Sequence, residues 1–123
     1  ISTDHAPHSA EEKAKDLEHA PFGIVGLETS VALTITNLVK KGYITPLQRA
    51  AKMSYNPAKV LGIEKGTLKE GSVADITIIN PDEEYLVDVN DFESKGKNTP
   101  FDGYKVSGRV EYTILGGKIV YQY

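Results

Sequence analysis

A chain of 123 residues with 40% hydrophobic and 25% charged residues has the length of one ordinary globular domain, which excludes a wholly disordered polymer. Its 14 basic and 17 acidic residues leave a net charge of -3, so there is no basic footprint for nucleic acid, and any anionic ligand must be held by a few aimed groups. Zero cysteines exclude disulfides, thiolate metal sites and a cysteine nucleophile, which fits a cytoplasmic location; no apolar run approaches the roughly 20 residues of a membrane span.

The opening run Ile1-Ser2-Thr3 is β-compatible, and it begins without Met, so the expectation is a fragment or one piece of a cleaved protein. Thr3-Asp4-His5-Ala6-Pro7-His8 then places one carboxylate and two imidazoles within five positions. Asp4 reads in two ways. At the end of a barrel strand it is a metal ligand or proton shuttle; otherwise it is a turn or cap residue before Ala-Pro. His5 and His8 have helical spacing, but Pro7 between them argues for a loop. A catalytic zinc needs three protein ligands in defined geometry, so this spacing alone does not make a site. His8, before a helix start, also suits an anion contact.

Ser9-Ala10-Glu11-Glu12 has capping-box spacing and predicts a short, charged, exposed helix over 10–17. His19 reads as a surface residue. Ala20 to Gly26 is a loop whose glycines let a ligand approach the backbone. Leu27, Val31, Ile35, Leu38 and Val39 form one helical stripe over Leu27 to Lys41, closed by Gly42. Thr45-Pro46-Leu47-Gln48 combines a cap, a Pro and a capping-box Gln, opening a helix to about Ser54; Asn56-Pro57 repeats the device for a third helix ending at Gly62.

From about residue 63 the period changes. Ala74 to Ile79 predicts a strand ending at Asn80-Pro81, with Asp75 satisfying backbone donors at its turn, and Tyr85 to Val89 predicts a second strand. Asn90 to Gly103 reads as a long loop. Gly108 to Leu115 and Lys118 to Tyr123, joined by Gly116-Gly117, predict a hairpin.

Thr3 to His8, followed by Pro21-Phe22-Gly23-Ile24-Val25-Gly26-Leu27-Glu28, closely resembles dihydroorotase of the bacterial, longer-chain type, in the amidohydrolase superfamily. Asn56-Pro57-Ala58, Leu61-Gly62, Gly66-Thr67-Leu68, Gly71-Ser72, Ala74-Asp75 and Asn98-Thr99-Pro100-Phe101 extend the likeness over nearly the whole chain. The Gly66 to Asp75 stretch is common to many amidohydrolases and supports the superfamily only.

The resemblance implies an α/β plus β fold. Residues 1–62 would be the C-terminal end of a (β/α)8 barrel, its last strand end and terminal helices, and 63–123 the C-terminal part of a small β-sandwich. It also implies reversible zinc-dependent hydrolysis of the cyclic amide dihydroorotate to N-carbamoyl-L-aspartate in pyrimidine biosynthesis, with two Zn2+ per complete site.

By this resemblance Asp4 binds zinc and acts as general base and acid, His8 holds the substrate carboxylate, and backbone groups of Phe22 and Gly23 fix the ring. His5 has no role beyond structural support. The family's His-x-His pair, bridging carboxylated lysine or aspartate and two further histidines have no counterpart here, which implies a segment inactive alone that pairs with the missing N-terminal part and forms a homo-oligomer. The other readings are a non-catalytic dihydroorotase-like assembly module and a different cyclic amidase, a hydantoinase or allantoinase.

Overall fold

Both capping boxes form, as seen in a computed structural model that describes residues 1–123. The Ser9 hydroxyl accepts from the Glu12 N–H at 3.2 Å while the Glu12 carboxylate accepts from the Ser9 N–H at 3.0 Å. The helix they start, α1 (Ala10–Lys13), has four residues and buries none of them, so it stops short of the expected residue 17: no packing face rewards further turns.

The second helix, α2 (Ser30–Thr34), begins three residues later than its apolar stripe, because Leu27 to Thr29 are held as a turn. It passes into a π-helical turn, Ile35–Val39, where Lys40 N–H reaches Ile35 O at 2.9 Å, and the chain reverses at Gly42 with φ +75. The wide turn alters the face presented to the core. Ala32, Thr34 and Ile35 are buried, while Leu27 of the expected stripe is 60% exposed.

Thr45 caps α3 (Pro46–Ala50) as its motif requires, with Gln48 returning the bond. The separate third helix is corrected. A π-helical turn, Ala51–Tyr55, joins α3 to α4 (Asn56–Leu61) without a break, and Asn56 has helical angles, φ -67 and ψ -44, rather than those of a cap. The i to i+5 bond from Asn56 N–H to Ala51 O falls just before Pro57, which lacks an N–H for the regular ladder. Gly62 ends α4 in the left-handed region as expected.

Three antiparallel strands follow in the order β1 (Ile76–Leu86), β2 (Lys105–Leu115), β3 (Lys118–Gln122). The two strands expected between Ala74 and Val89 are therefore one. Asn80 pairs with Arg109 and Glu84 with Ser107, so residues 81–83 of β1 lie opposite residue 108 of β2. This bulge accommodates Pro81, which cannot donate to the ladder, and long-range pairing with β2 carries the strand across it. The Gly116-Gly117 hairpin forms, both residues having positive φ. Asp75 does what its position suggests, accepting from Gly116 N–H at 2.8 Å and from Lys65 Nζ. Both contacts hold its carboxyl below the ordinary range, the lysine hydrogen bond foremost. The long loop opens on a 3-10 turn, Val89–Asp91, capped by Asp88, and closes on a hydrogen-bonded turn at 100–103.

The core is where α2 meets the sheet: Ala32, Val87 and Val106, flanked by Leu33, Tyr85 and Phe92. Gly108 makes the approach possible. A Cβ there would lie 2.4 Å from Ile35 Cδ1, and the Thr36 hydroxyl accepts from Ser107 N–H at 2.8 Å beside it. Yet only 11 of 123 residues are buried. The accessible surface is 8715 Å², against about 6,500 Å² for a compact monomer of 13.4 kDa. No helix is long and apolar enough to cross a membrane.

Candidate active site

The opening loop is fastened at one point to the loop after Pro21. His5 and Ile24 form a parallel bridge, with Ala6 N–H donating to Ile24 O at 2.9 Å. Just before the bridge stands Asp4, the one non-glycine residue with positive φ, at +46. That is a left-handed conformation which Asp tolerates better than most residues, and it leaves the carboxylate exposed. His5 turns the other way. Its Nδ1 accepts from Gly26 N–H at 3.1 Å and Leu27 N–H at 3.4 Å, holding the turn that precedes α2, a structural role.

His8, Phe22 and Gly23 come together. The His8 ring donates from Nε2 to Phe22 O at 3.0 Å; a carbonyl only accepts, so the shared proton is on Nε2. Nδ1 then faces the Glu12 carboxylate at 3.7 Å, and it is through Nδ1 that the ring reaches any further partner. Gly23 has φ +102, and a Cβ there would come within 2.6 Å of Ala6 Cβ, so no other residue fits against the opening motif.

Two residues of this neighbourhood carry no motif that singles them out for a role. Asn98 uses its whole side chain: Oδ1 accepts from His8 N–H at 3.0 Å, and Nδ2 donates to Ala6 O at 2.9 Å and Gly23 O at 3.2 Å. Its backbone carbonyl accepts from Val25 N–H at 3.0 Å. Lys13 spans Pro21 O at 2.9 Å and Gly23 O at 3.2 Å. Position within Asn98-Thr99-Pro100-Phe101 and next to the first capping box were the only signals. His19 is on the surface, as expected, paired with Asp16 at 2.6 Å.

No three His, Cys, Asp or Glu side chains are gathered to hold a metal ion, so Asp4 is not part of a complete three-ligand set within this chain. A cavity of about 650 Å³ lies elsewhere, between α2 and the sheet. His5, Glu28, Tyr85, Phe92, Arg109 and Tyr121 line it, whereas Asp4, His8, Phe22 and Gly23 do not.

Comparison with known proteins bears on this arrangement directly. The chain is 57% identical over 122 residues to a dihydroorotase of Pelotomaculum thermopropionicum, covering 99% of this chain and 29% of that protein. It is 53% identical over 120 residues to a dihydroorotase of Acetivibrio thermocellus, covering 98% and 28%. The chain thus spans under a third of the length of these relatives. Among solved structures, an L-hydantoinase (dihydropyrimidinase) from Arthrobacter aurescens superposes with TM-score 0.90 at 39% identity, over 97% of this chain and 28% of that one. A dihydropyrimidinase from Brevibacillus agri gives TM-score 0.89 at 28% identity, over 97% and 27%. The profile of the Amidohydrolase family matches residues 1–120, and the chain belongs to that family.

Proposed function

We propose that this chain is the C-terminal segment of a zinc-dependent dihydroorotase and supplies one wall of its active site. The observation that carries the proposal is the 57% identity to a dihydroorotase over 122 residues, across the stretch that brings His8 against Phe22 and Gly23. Residues 1–62 are assigned to the end of the barrel and 63–123 to the small β domain, inside a longer cytoplasmic polypeptide that supplies the other walls and assembles with copies of itself.

The donor set suits a shared site. A catalytic zinc takes three protein ligands; no such group of three is gathered within this chain, and the exposed Asp4 would supply one of them. Zinc, when bound, lowers the pKa of a coordinated water to about 7. Asp4 moves the proton: a carboxylate oxygen takes it as oxygen attacks the ring carbonyl carbon, then delivers it to the amide nitrogen as the C–N bond breaks. His8 holds the substrate carboxylate from the Nδ1 side of its ring, since Nε2 is engaged by Phe22 O. The exposed backbone around Phe22 and Gly23 orients the ring.

A second reading, another cyclic amidase, is favoured by the TM-score of 0.90 to an L-hydantoinase. Turnover of dihydroorotate, hydantoin and allantoin by the full-length protein separates the two. Dihydroorotate alone is hydrolysed on the first reading, with His8→Ala raising KM for it; hydrolysis of hydantoin in preference, indifferent to His8→Ala, contradicts that reading.

A further inference from the structure

All three consecutive carbonyls in the Pro21–Gly23 turn are gripped by side chains. Pro21 O accepts from Lys13 Nζ at 2.9 Å, Phe22 O from His8 Nε2 at 3.0 Å, and Gly23 O from both Lys13 Nζ and Asn98 Nδ2 at 3.2 Å. The peptide bonds are trans. In a planar trans peptide the N–H points opposite to its own carbonyl, so Phe22 N–H faces away from Lys13 and Gly23 N–H faces away from His8. Neither donates to any atom of the chain.

We propose that Lys13, together with Asn98, is a positioning residue that locks this turn so that the free N–H groups of Phe22 and Gly23 are held as preformed donors to the substrate. The inference rests on the dihydroorotase reading above and deepens it by naming what sets the substrate-facing backbone. Two features suit it to an anion. Lys13 forms no ion pair, so its charge is not cancelled within the chain. An ammonium hydrogen-bonded to a carbonyl also polarises that peptide and strengthens the N–H on its far side. The turn accepts this geometry because Gly23 has φ +102 and lies against Ala6 without a Cβ.

The test uses the full-length, zinc-loaded enzyme, with KM and kcat for dihydroorotate and the Kd of N-carbamoyl-L-aspartate by calorimetry. Lys13→Met raises KM and Kd roughly tenfold, the worth of about one charged hydrogen bond, with kcat within about twofold and the melting temperature unchanged. Lys13→Arg, which keeps the charge and the donors, recovers most of the loss. An unchanged KM and Kd in Lys13→Met overturns the proposal, as does a loss confined to melting temperature. Should Lys13→Met not fold, Lys13→Gln measured in the same way decides on the same criteria. A wild-type enzyme that neither binds nor hydrolyses these compounds removes the dihydroorotase reading and this inference with it. If wild type is active and His8→Ala is weakened while Lys13→Met is not, the inference alone is removed.

Discussion

Gly23 is the residue on which the site depends most tightly. Its φ of +102 and the 2.6 Å approach to Ala6 Cβ penalise any side chain twice, once through backbone strain and once through overlap. Gly23→Ala should cost the full-length protein about 2 to 4 kcal/mol in urea unfolding and separate the Phe22 backbone from His8. A stability within about 0.5 kcal/mol of wild type, the range of an ordinary surface change, would show that the turn is not pinned. Residues of this kind were readable in part. Asp4, His8 and Gly23 announce themselves by chemistry or conformational licence within a short motif, and His8, Phe22 and Gly23 are indeed adjacent. Asn98 was opaque because its partners His8, Ala6 and Gly23 lie 90, 92 and 75 positions away, a distance that local spacing does not register. Asn98→Ala strips three hydrogen bonds from partly buried backbone groups and should cost about 2 to 4 kcal/mol, read from the same unfolding curves.

Among the elements, local devices were legible and pairing-dependent ones were not. Ser9-Glu12 and Thr45-Gln48 close reciprocal bonds within four residues, so sequence spacing alone specifies them. Asn56-Pro57 has the same letters at a helix start yet sits inside a continuous helix, because the π turn absorbs the missing donor. β1 runs through Asn80-Pro81 because β2 pairs on both sides of the bulge. Asp75 ties the entrance of β1 to the β2–β3 turn and gives the sheet a pH dependence of defined sign. Its carboxyl titrates below its ordinary value of 3.8 in the folded state, so its stabilisation is present above that pH and disappears as pH falls through the lower folded value. Asp75→Asn should flatten the acid limb of the stability curve below about pH 4. An acid limb identical in slope and position to wild type would remove Asp75 from that role.

For the whole molecule the decisive quantity is surface. An excess near 2,000 Å² over a compact monomer, with Leu27, Leu47, Val60, Leu61 and Leu68 each at least 60% exposed, describes a segment built to be covered. The isolated chain should therefore self-associate in size-exclusion chromatography; a well-behaved monomer at 13.4 kDa would contradict that. The same holds for the chemistry, because no three metal-ligating side chains are gathered around Asp4 within the chain. The measurement that bears most directly on the account is zinc-dependent hydrolysis of dihydroorotate, made on the 123-residue chain alone and on the full-length protein with and without Asp4→Asn. The account predicts no turnover by the chain alone, turnover by the full-length protein, and a loss on the order of a thousandfold or more in Asp4→Asn, consistent with loss of both a metal ligand and a proton carrier. Turnover by the isolated chain, or a full-length Asp4→Asn as active as wild type, would contradict it.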